Sequence, residues 1–264
     1  MQGTLDHVMM RVADLETSLE WYRSHLEYEE KDRYEGDGFT IVYLGPEELG
    51  EEAAMLELTH NEGEDDLELG DAWGHVAVRV PEGELEDHYE RLMEGGVEDY
   101  RDPESCGGSY AFVTDPDGHE IELVQRDPEL PTWSLDHTMI RVEDADEALG
   151  FWTRKFEYQA VGRWEADTFA NYFVEPEDAA EEAMAVELTY NYDGQTYDVG
   201  DAWGHLCVRV DDLQEDWETL LEREAEDYRD PESNDDMYAF TKDQDGHEIE
   251  LLERDFEAES LFPF

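Results

Sequence analysis

Eight residues stand out by type and spacing: His7, Glu57, His75 and Glu122, then His137, Glu187, His205 and Glu250. The second four repeat the first at offsets of 130, 130, 130 and 128 residues. Glu57 stands between Leu56 and Leu58, and Glu122 between Ile121 and Leu123. A carboxylate inside an apolar, alternating stretch is costly unless it is paired or metal-bound. One such residue could be an ion pair, but eight matched positions point to a metal site. Two imidazoles and two carboxylates without a thiolate form a mixed nitrogen–oxygen set. That set suits an octahedral first-row ion, Ni²⁺, Co²⁺, Mn²⁺ or Fe²⁺, and also accommodates Zn²⁺. Two positions then stay open for a substrate with two adjacent oxygens. The histidines disfavour a calcium cage.

These residues need strands to hold them. LDHVMMRV (5–12) and LDHTMIRV (135–142) alternate, which places Leu5, His7, Met9 and Arg11 on one face and Asp6, Val8, Met10 and Val12 on the other. The chain is a tandem duplication: GDAWGHVAVRV (70–80) returns as GDAWGHLCVRV (200–210), and EDYRDPES (98–105) as EDYRDPES (226–233). A weaker repeat lies within each half, since 6–27 and 74–96 each read as a His-bearing strand, a turn and an amphipathic helix. Glutamate-bearing strands follow, and turns such as TDPDGHE (114–120) bound the last of them. The reading is an α+β protein of four β-α-β-β-β units. The expected domains are 1–127 and 134–256, joined by a linker at 128–133 (PELPTW) and followed by a tail at 257–264.

The charge is extreme. Of 264 residues, 17 are basic and 75 acidic, a formal net charge of −58, and the lysines are Lys31, Lys155 and Lys242 alone. Such acidity accompanies disorder in chains that lack apolar residues. Here 39% are hydrophobic, and strands, tryptophans and tyrosines recur throughout. The expectation is a folded, halophilic protein with a carboxylate-covered surface, suited to molar internal salt that screens the self-repulsion. Nucleic-acid binding is disfavoured at this charge. Cys106 and Cys207 suggest a reducing compartment more than a disulfide frame. No signal peptide or membrane-length apolar run is read, so a soluble, cytoplasmic protein is expected.

In order and spacing, LDHVMMRV, ELTHN, GDAWGHVAVRV and DPDGHEIEL resemble a bacterial-type glyoxalase I of the vicinal oxygen chelate superfamily, twice over nearly the whole chain. The resemblance implies paired βαβββ units forming curved mixed sheets around a metal. A histidine as the first ligand, here His7 and His137, resembles the nickel- or cobalt-activated type. In single-domain relatives two subunits share each site. Carried onto this chain, the sharing gives one site of His7, Glu57, His205 and Glu250 and another of His137, Glu187, His75 and Glu122. A monomer would then mimic that dimer. The implied activity is isomerisation of a methylglyoxal–thiol hemithioacetal to an S-lactoyl thioester. Glu122 and Glu250 resemble the principal base, and Glu57 and Glu187 the partner carboxylate. The superfamily also holds Fe²⁺ extradiol dioxygenases, with two His and one carboxylate, and non-enzymatic binding proteins. Four ligands retained in both halves favour the isomerase.

The family also supplies a thiol site. Arg11, Asn61, Arg141 and Asn191 match residues that hold the γ-glutamyl end of glutathione. Relatives commonly add a lysine before the penultimate strand for the glycine carboxylate. The loops ESCGGSYAF (104–112) and ESNDDMYAF (232–240) contain none. That difference favours γ-glutamylcysteine over glutathione. His119 and His247 are read as turn residues, and Trp73 and Trp203 as core.

Overall fold

The computed structural model describes residues 3–50 and 53–254. The first unit runs β1 (Thr4–Arg11), α1 (Leu15–Leu26), β2 (Glu29–Glu35), β3 (Phe39–Gly45) and β4 (Met55–Asn61). The second runs β5 (Trp73–Pro81), α2 (Leu85–Glu94), β6 (Glu98–Arg101), β7 (Tyr110–Thr114) and β8 (Glu120–Arg126). The third has β9 (Leu135–Val142), α3 (Ala145–Lys155), β10 (Tyr158–Glu165), β11 (Phe169–Pro176) and β12 (Ala185–Asn191). The fourth has β13 (Trp203–Val210), α4 (Leu213–Glu222), β14 (Tyr238–Lys242) and β15 (Glu248–Glu253). The segment that is β6 in the second unit is reduced in the fourth to a single bridge between Arg229 and Phe240. The tail expected at 257–264 lies outside the described residues.

Three of the four helices start at an aspartate cap, and α2 starts without a side-chain cap. Asp14 caps α1 by accepting from Thr17 N, and Asp144 and Asp212 cap α3 and α4 in the same way. In α1, Leu15, Leu19, Tyr22 and Leu26 recur at helical spacing and are all buried. Val8 and Met10 of β1 join them in the main apolar core. The opposite strand face is thereby left for the polar residues.

The strands do not sort by half. One sheet runs β14-β15-β13-β1-β4-β3-β2, and the other β10-β11-β12-β9-β5-β8-β7-β6. The first unit therefore completes its sheet with the fourth, and the second with the third. The joints are antiparallel pairs, β1 with β13 and β5 with β9. A bulge interrupts each joint. Leu5 pairs Val208 and His7 pairs Cys207, so Asp6 has no opposite residue, and Asp136 is skipped likewise between Val78–Leu135 and Ala77–His137.

The segment read as a linker is an irregular turn, yet Trp133 in it is fully buried. Its backbone N–H donates to Arg79 O, its carbonyl accepts from Tyr28 Oη, and His88 packs on its ring edge-on. The connection is part of the core.

Candidate metal centres

The joints bring the eight residues together as two quartets. His7 Nε2 lies 3.0 Å from Glu57 Oε2 and 3.2 Å from Glu250 Oε2. His205 Nε2 is 3.2 Å from the same Glu250 oxygen and 3.0 Å from His7 Nε2. In the second quartet, His137 Nε2 lies 3.0 Å from both Glu122 Oε2 and Glu187 Oε2. His75 Nε2 lies 3.2 Å from Glu122 Oε2, 3.8 Å from Glu187 Oε2 and 3.2 Å from His137 Nε2. All eight residues are buried.

Register explains the convergence. His7 faces Cys207, and Cys207 in turn faces Glu250 on the parallel neighbour β15, while Glu57 stands beside Met9 on β4. Because side chains alternate with period two, His7, Met9 and Glu57 share a face with His205 and Glu250. Tyr43 and Phe240 flank the His7 and His205 rings at 5.1 and 5.2 Å, and Phe173 and Phe112 flank His137 and His75 at 5.4 and 5.2 Å.

The donor chemistry fits a divalent first-row ion. Donors about 2.1 Å from a common centre and at right angles to each other lie about 3.0 Å apart. Most contacts above match that edge length. In the second quartet all four donor atoms lie within 4.8 Å of one another, as do those of His7, Glu57 and His205.

The electrostatics agree. Burial pushes the Glu122 carboxyl up, but hydrogen bonds from His137 and His75 outweigh it and hold it at about 2. Burial likewise opposes ionisation of Glu57 and Glu250, and the imidazoles beside them bring both below the usual carboxylate range. His137 moves the other way: burial lowers it, and Asp136, Glu122 and Glu187 together raise it well above the ordinary histidine value. A divalent cation can take the place of those protons.

The glutamates differ in their second oxygens. Glu57 Oε1 accepts from Thr59 Oγ1 at 2.8 Å, and Glu187 Oε1 accepts from Asn171 Nδ2 and Thr189 Oγ1. Glu122 engages both imidazoles through Oε2, and among the described residues its Oε1 meets no donor. The second quartet opens on a cavity of about 740 Å³ walled by Tyr110, Phe112, Trp164, Phe169, Phe173 and Met139.

Arg141 and Asn191 line that cavity, but Arg141 donates to the carbonyls of Asp71 and Trp73 and Asn191 to Tyr197 Oη. Arg11 and Asn61 line a separate cavity with Trp203 and Lys242. There Arg11 donates to the carbonyls of Asp201 and Trp203, and Asn61 to Glu64. Trp73 and Trp203 are core, stacked on each other at 5.3 Å.

Strict alternation misplaces Asp6 and Asp136. The bulge turns each toward its neighbouring histidine, and Asp6 Oδ1 accepts from His7 Nδ1 at 2.8 Å, Asp136 Oδ1 from His137 Nδ1 at 2.7 Å. The available signal was the aspartate standing before the histidine in both copies of the strand.

The Glyoxalase/Bleomycin resistance protein/Dioxygenase superfamily model matches residues 4–123 and 134–251. The chain is 30% identical over 221 residues to lactoylglutathione lyase GLX1 of Arabidopsis thaliana, covering 81% of this chain and 76% of that one. It is 37% identical over 129 residues to a probable lactoylglutathione lyase of Synechocystis sp., covering 45% of this chain and 92% of that one. Among solved structures, glyoxalase I from Zea mays shares the fold, with a TM-score of 0.85 at 23% identity over 96% of this chain and 92% of that one.

Proposed function

Because the chain belongs to the Glyoxalase/Bleomycin resistance protein/Dioxygenase superfamily, we propose that it is a metal-dependent glyoxalase I. It isomerises the hemithioacetal of methylglyoxal and a γ-glutamyl thiol to the S-lactoyl thioester. One observation supports the reading: each half contributes two ligand candidates to each of two clusters of two histidines and two glutamates, and one cluster opens on a cavity of about 740 Å³.

His7, Glu57, His205 and Glu250 would hold one ion, and His137, Glu187, His75 and Glu122 the other. We assign Ni²⁺ or Co²⁺, with Mn²⁺ or Zn²⁺ as substitutes. When bound, the ion supplies a Lewis acid that makes the substrate C–H easier to ionise. The reaction then needs a base to move one proton between adjacent carbons. Glu122 and Glu250 take that role, supported by the free second oxygen of Glu122. Glu57 and Glu187 are the partner carboxylates, steadied by Thr59 and by Asn171 with Thr189. The aromatic wall shields the proton from water, and Arg11, Asn61, Arg141 and Asn191 receive the γ-glutamyl end.

We assign γ-glutamylcysteine as the thiol. The loops before β7 and β14 carry no lysine, and Arg101 on the cavity wall lies over the Phe112 and Tyr100 rings. Domain bounds of 1–127 and 134–256, a monomeric state, a cytoplasmic location and a halophilic source complete the proposal. Pairing of units within one chain supports the monomer. No helix among the described residues is long and apolar enough to cross a membrane.

The test is thioester formation at molar salt, with glutathione and γ-glutamylcysteine side by side and the bound metal counted. Two ions per chain and a higher kcat/KM with γ-glutamylcysteine are expected. A preference for glutathione overturns the thiol assignment, and no thioester with either overturns the function. Glu122→Gln combined with Glu250→Gln should lower kcat by at least about 10²-fold. Undiminished turnover would refute the base assignment.

A further inference from the structure

The two histidines of each quartet are not equivalent. His7 and His137 each have a buried carboxylate at Nδ1, at 2.8 and 2.7 Å. Among the described residues, no such partner stands at Nδ1 of His75 or His205. The carboxylate is the adjacent residue in the chain, which regular alternation would point to the other face. It reaches its neighbour only because the strand bulges there, and the same bulge occurs in both joints.

Each aspartate is itself held by arginines. Asp136 accepts from Arg126 through both oxygens at 2.7 Å and from Arg79 Nε at 3.1 Å. Arg254 Nη2 is 2.7 Å from Asp6 Oδ1, and Arg209 Nη1 is 3.9 Å from Asp6 Oδ2. A buried aspartate is costly, and two guanidiniums at each position indicate that the fold is built to keep it there.

We propose that Asp6 and Asp136 are positioning residues for metal binding. Each accepts the Nδ1 proton of its histidine, which fixes that tautomer and aims the Nε2 lone pair into the quartet. The inference rests on the reading of the quartets as metal sites. A carboxylate behind a ligating imidazole also makes it a stronger donor, and removing such a partner lowers metal affinity about 10- to 100-fold. Arg126 and Arg79 hold Asp136 in place by hydrogen bonds, and their counterparts in the repeat, Arg254 and Arg209, face Asp6 as ion partners, so a histidine, an aspartate and two arginines stand together twice.

The test uses the full chain at molar salt, titrated with Co²⁺ against a competing chelator, in the wild type, in Asp136→Asn and in Asp6→Asn. The wild type should bind two ions. Asp136→Asn should weaken one by 10- to 100-fold and leave the other unchanged, and Asp6→Asn should weaken the other. The visible spectrum of Co²⁺ at the weakened site should change, and the His137 Nδ1–H resonance should move. If the folded variants lose thermal stability but bind both ions as tightly as the wild type, the aspartates are structural only and the inference is overturned. If the wild type binds no Co²⁺, the reading of the quartets fails instead. If Asp136→Asn does not fold, Asp6→Asn decides the question at the other quartet.

Discussion

An imidazole with a hydrogen-bond acceptor at both ring nitrogens must carry a proton on each. His119 faces two acceptors: Nδ1 lies 3.0 Å from Asp115 Oδ2 and Nε2 lies 3.2 Å from the carbonyl of Ala202, which belongs to the other half. His247 repeats the arrangement with Asp243 at 2.8 Å and Ala72 O at 3.3 Å. Burial disfavours the charge, but Asp115 and Asp243 outweigh it and raise both histidines above the ordinary value. A group raised on folding stabilises the fold fully below its unfolded pKa of about 6.5 and loses that contribution as pH rises through the folded value. Melting temperature should therefore fall as pH rises from about 6.5 into the alkaline range. The fall should be shallower in a His119→Gln, His247→Gln double variant. Equal slopes would show that the two imidazoles are neutral in the fold. The turns at the DGHE segments were legible, although the histidines are buried and the glutamates already open β8 and β15. Their partners were not legible, because Ala202 and Ala72 are more than eighty residues away, and only the packing of the halves sets which carbonyl each ring meets.

At the scale of elements, the segments before β5 and β13 clasp each other across the pseudo-symmetry axis. Asp71 N and Ala72 N donate to Asp198 O, and Asp201 N and Ala202 N donate to Glu68 O. The Asp71 and Asp201 side chains accept from Asp198 N and Glu68 N at 2.6 Å. Gly70 and Gly200 sit at the crossing with φ of +66° and +64°. A Cβ on Gly200 would meet Glu68 O and, at 2.6 Å, Gly70 N. Gly200→Ala thus combines a left-handed backbone with a main-chain clash, and strain of that kind costs about 1–3 kcal/mol. Chemical denaturation should show that loss, and unchanged stability would mean that the clasp relaxes freely. The repeat GDAW was plain in the sequence, but that its copies touch was not. The octapeptide EDYRDPES marks the same boundary. It forms β6 in the second unit and a single bridge in the fourth, so its surroundings decide its structure. The eight quartet residues were legible because carboxylates in apolar strands, repeated at offsets of 128 to 130 residues, have no cheaper explanation. Asp6 and Asp136 were misplaced because a bulge, a one-residue slip, reverses which face a side chain takes.

The whole molecule joins an ordinary apolar core to an extraordinary surface. An accessible area of 12634 Å² shared among 58 net negative charges leaves about 220 Å² for each, a mean spacing of about 15 Å. The Debye length is about 30 Å at 0.01 M salt, about 8 Å at 0.15 M and about 3 Å at 1 M. Neighbouring charges therefore repel almost unscreened in dilute buffer and hardly at all in molar salt. Both sheets are joined by strand pairs between halves that carry the same sign of charge, so repulsion acts on the joints that assemble the quartets. Raising KCl from 0.01 to 1 M should raise the melting temperature by several degrees, with most of the gain where the Debye length falls below 15 Å. Metal affinity at the proposed sites should rise with it, because each quartet draws its residues from both halves. A non-ionic osmolyte that does not screen charge should not reproduce the early part of the rise. A melting temperature flat from 0.01 to 1 M would show that the acidic surface places no electrostatic load on the fold.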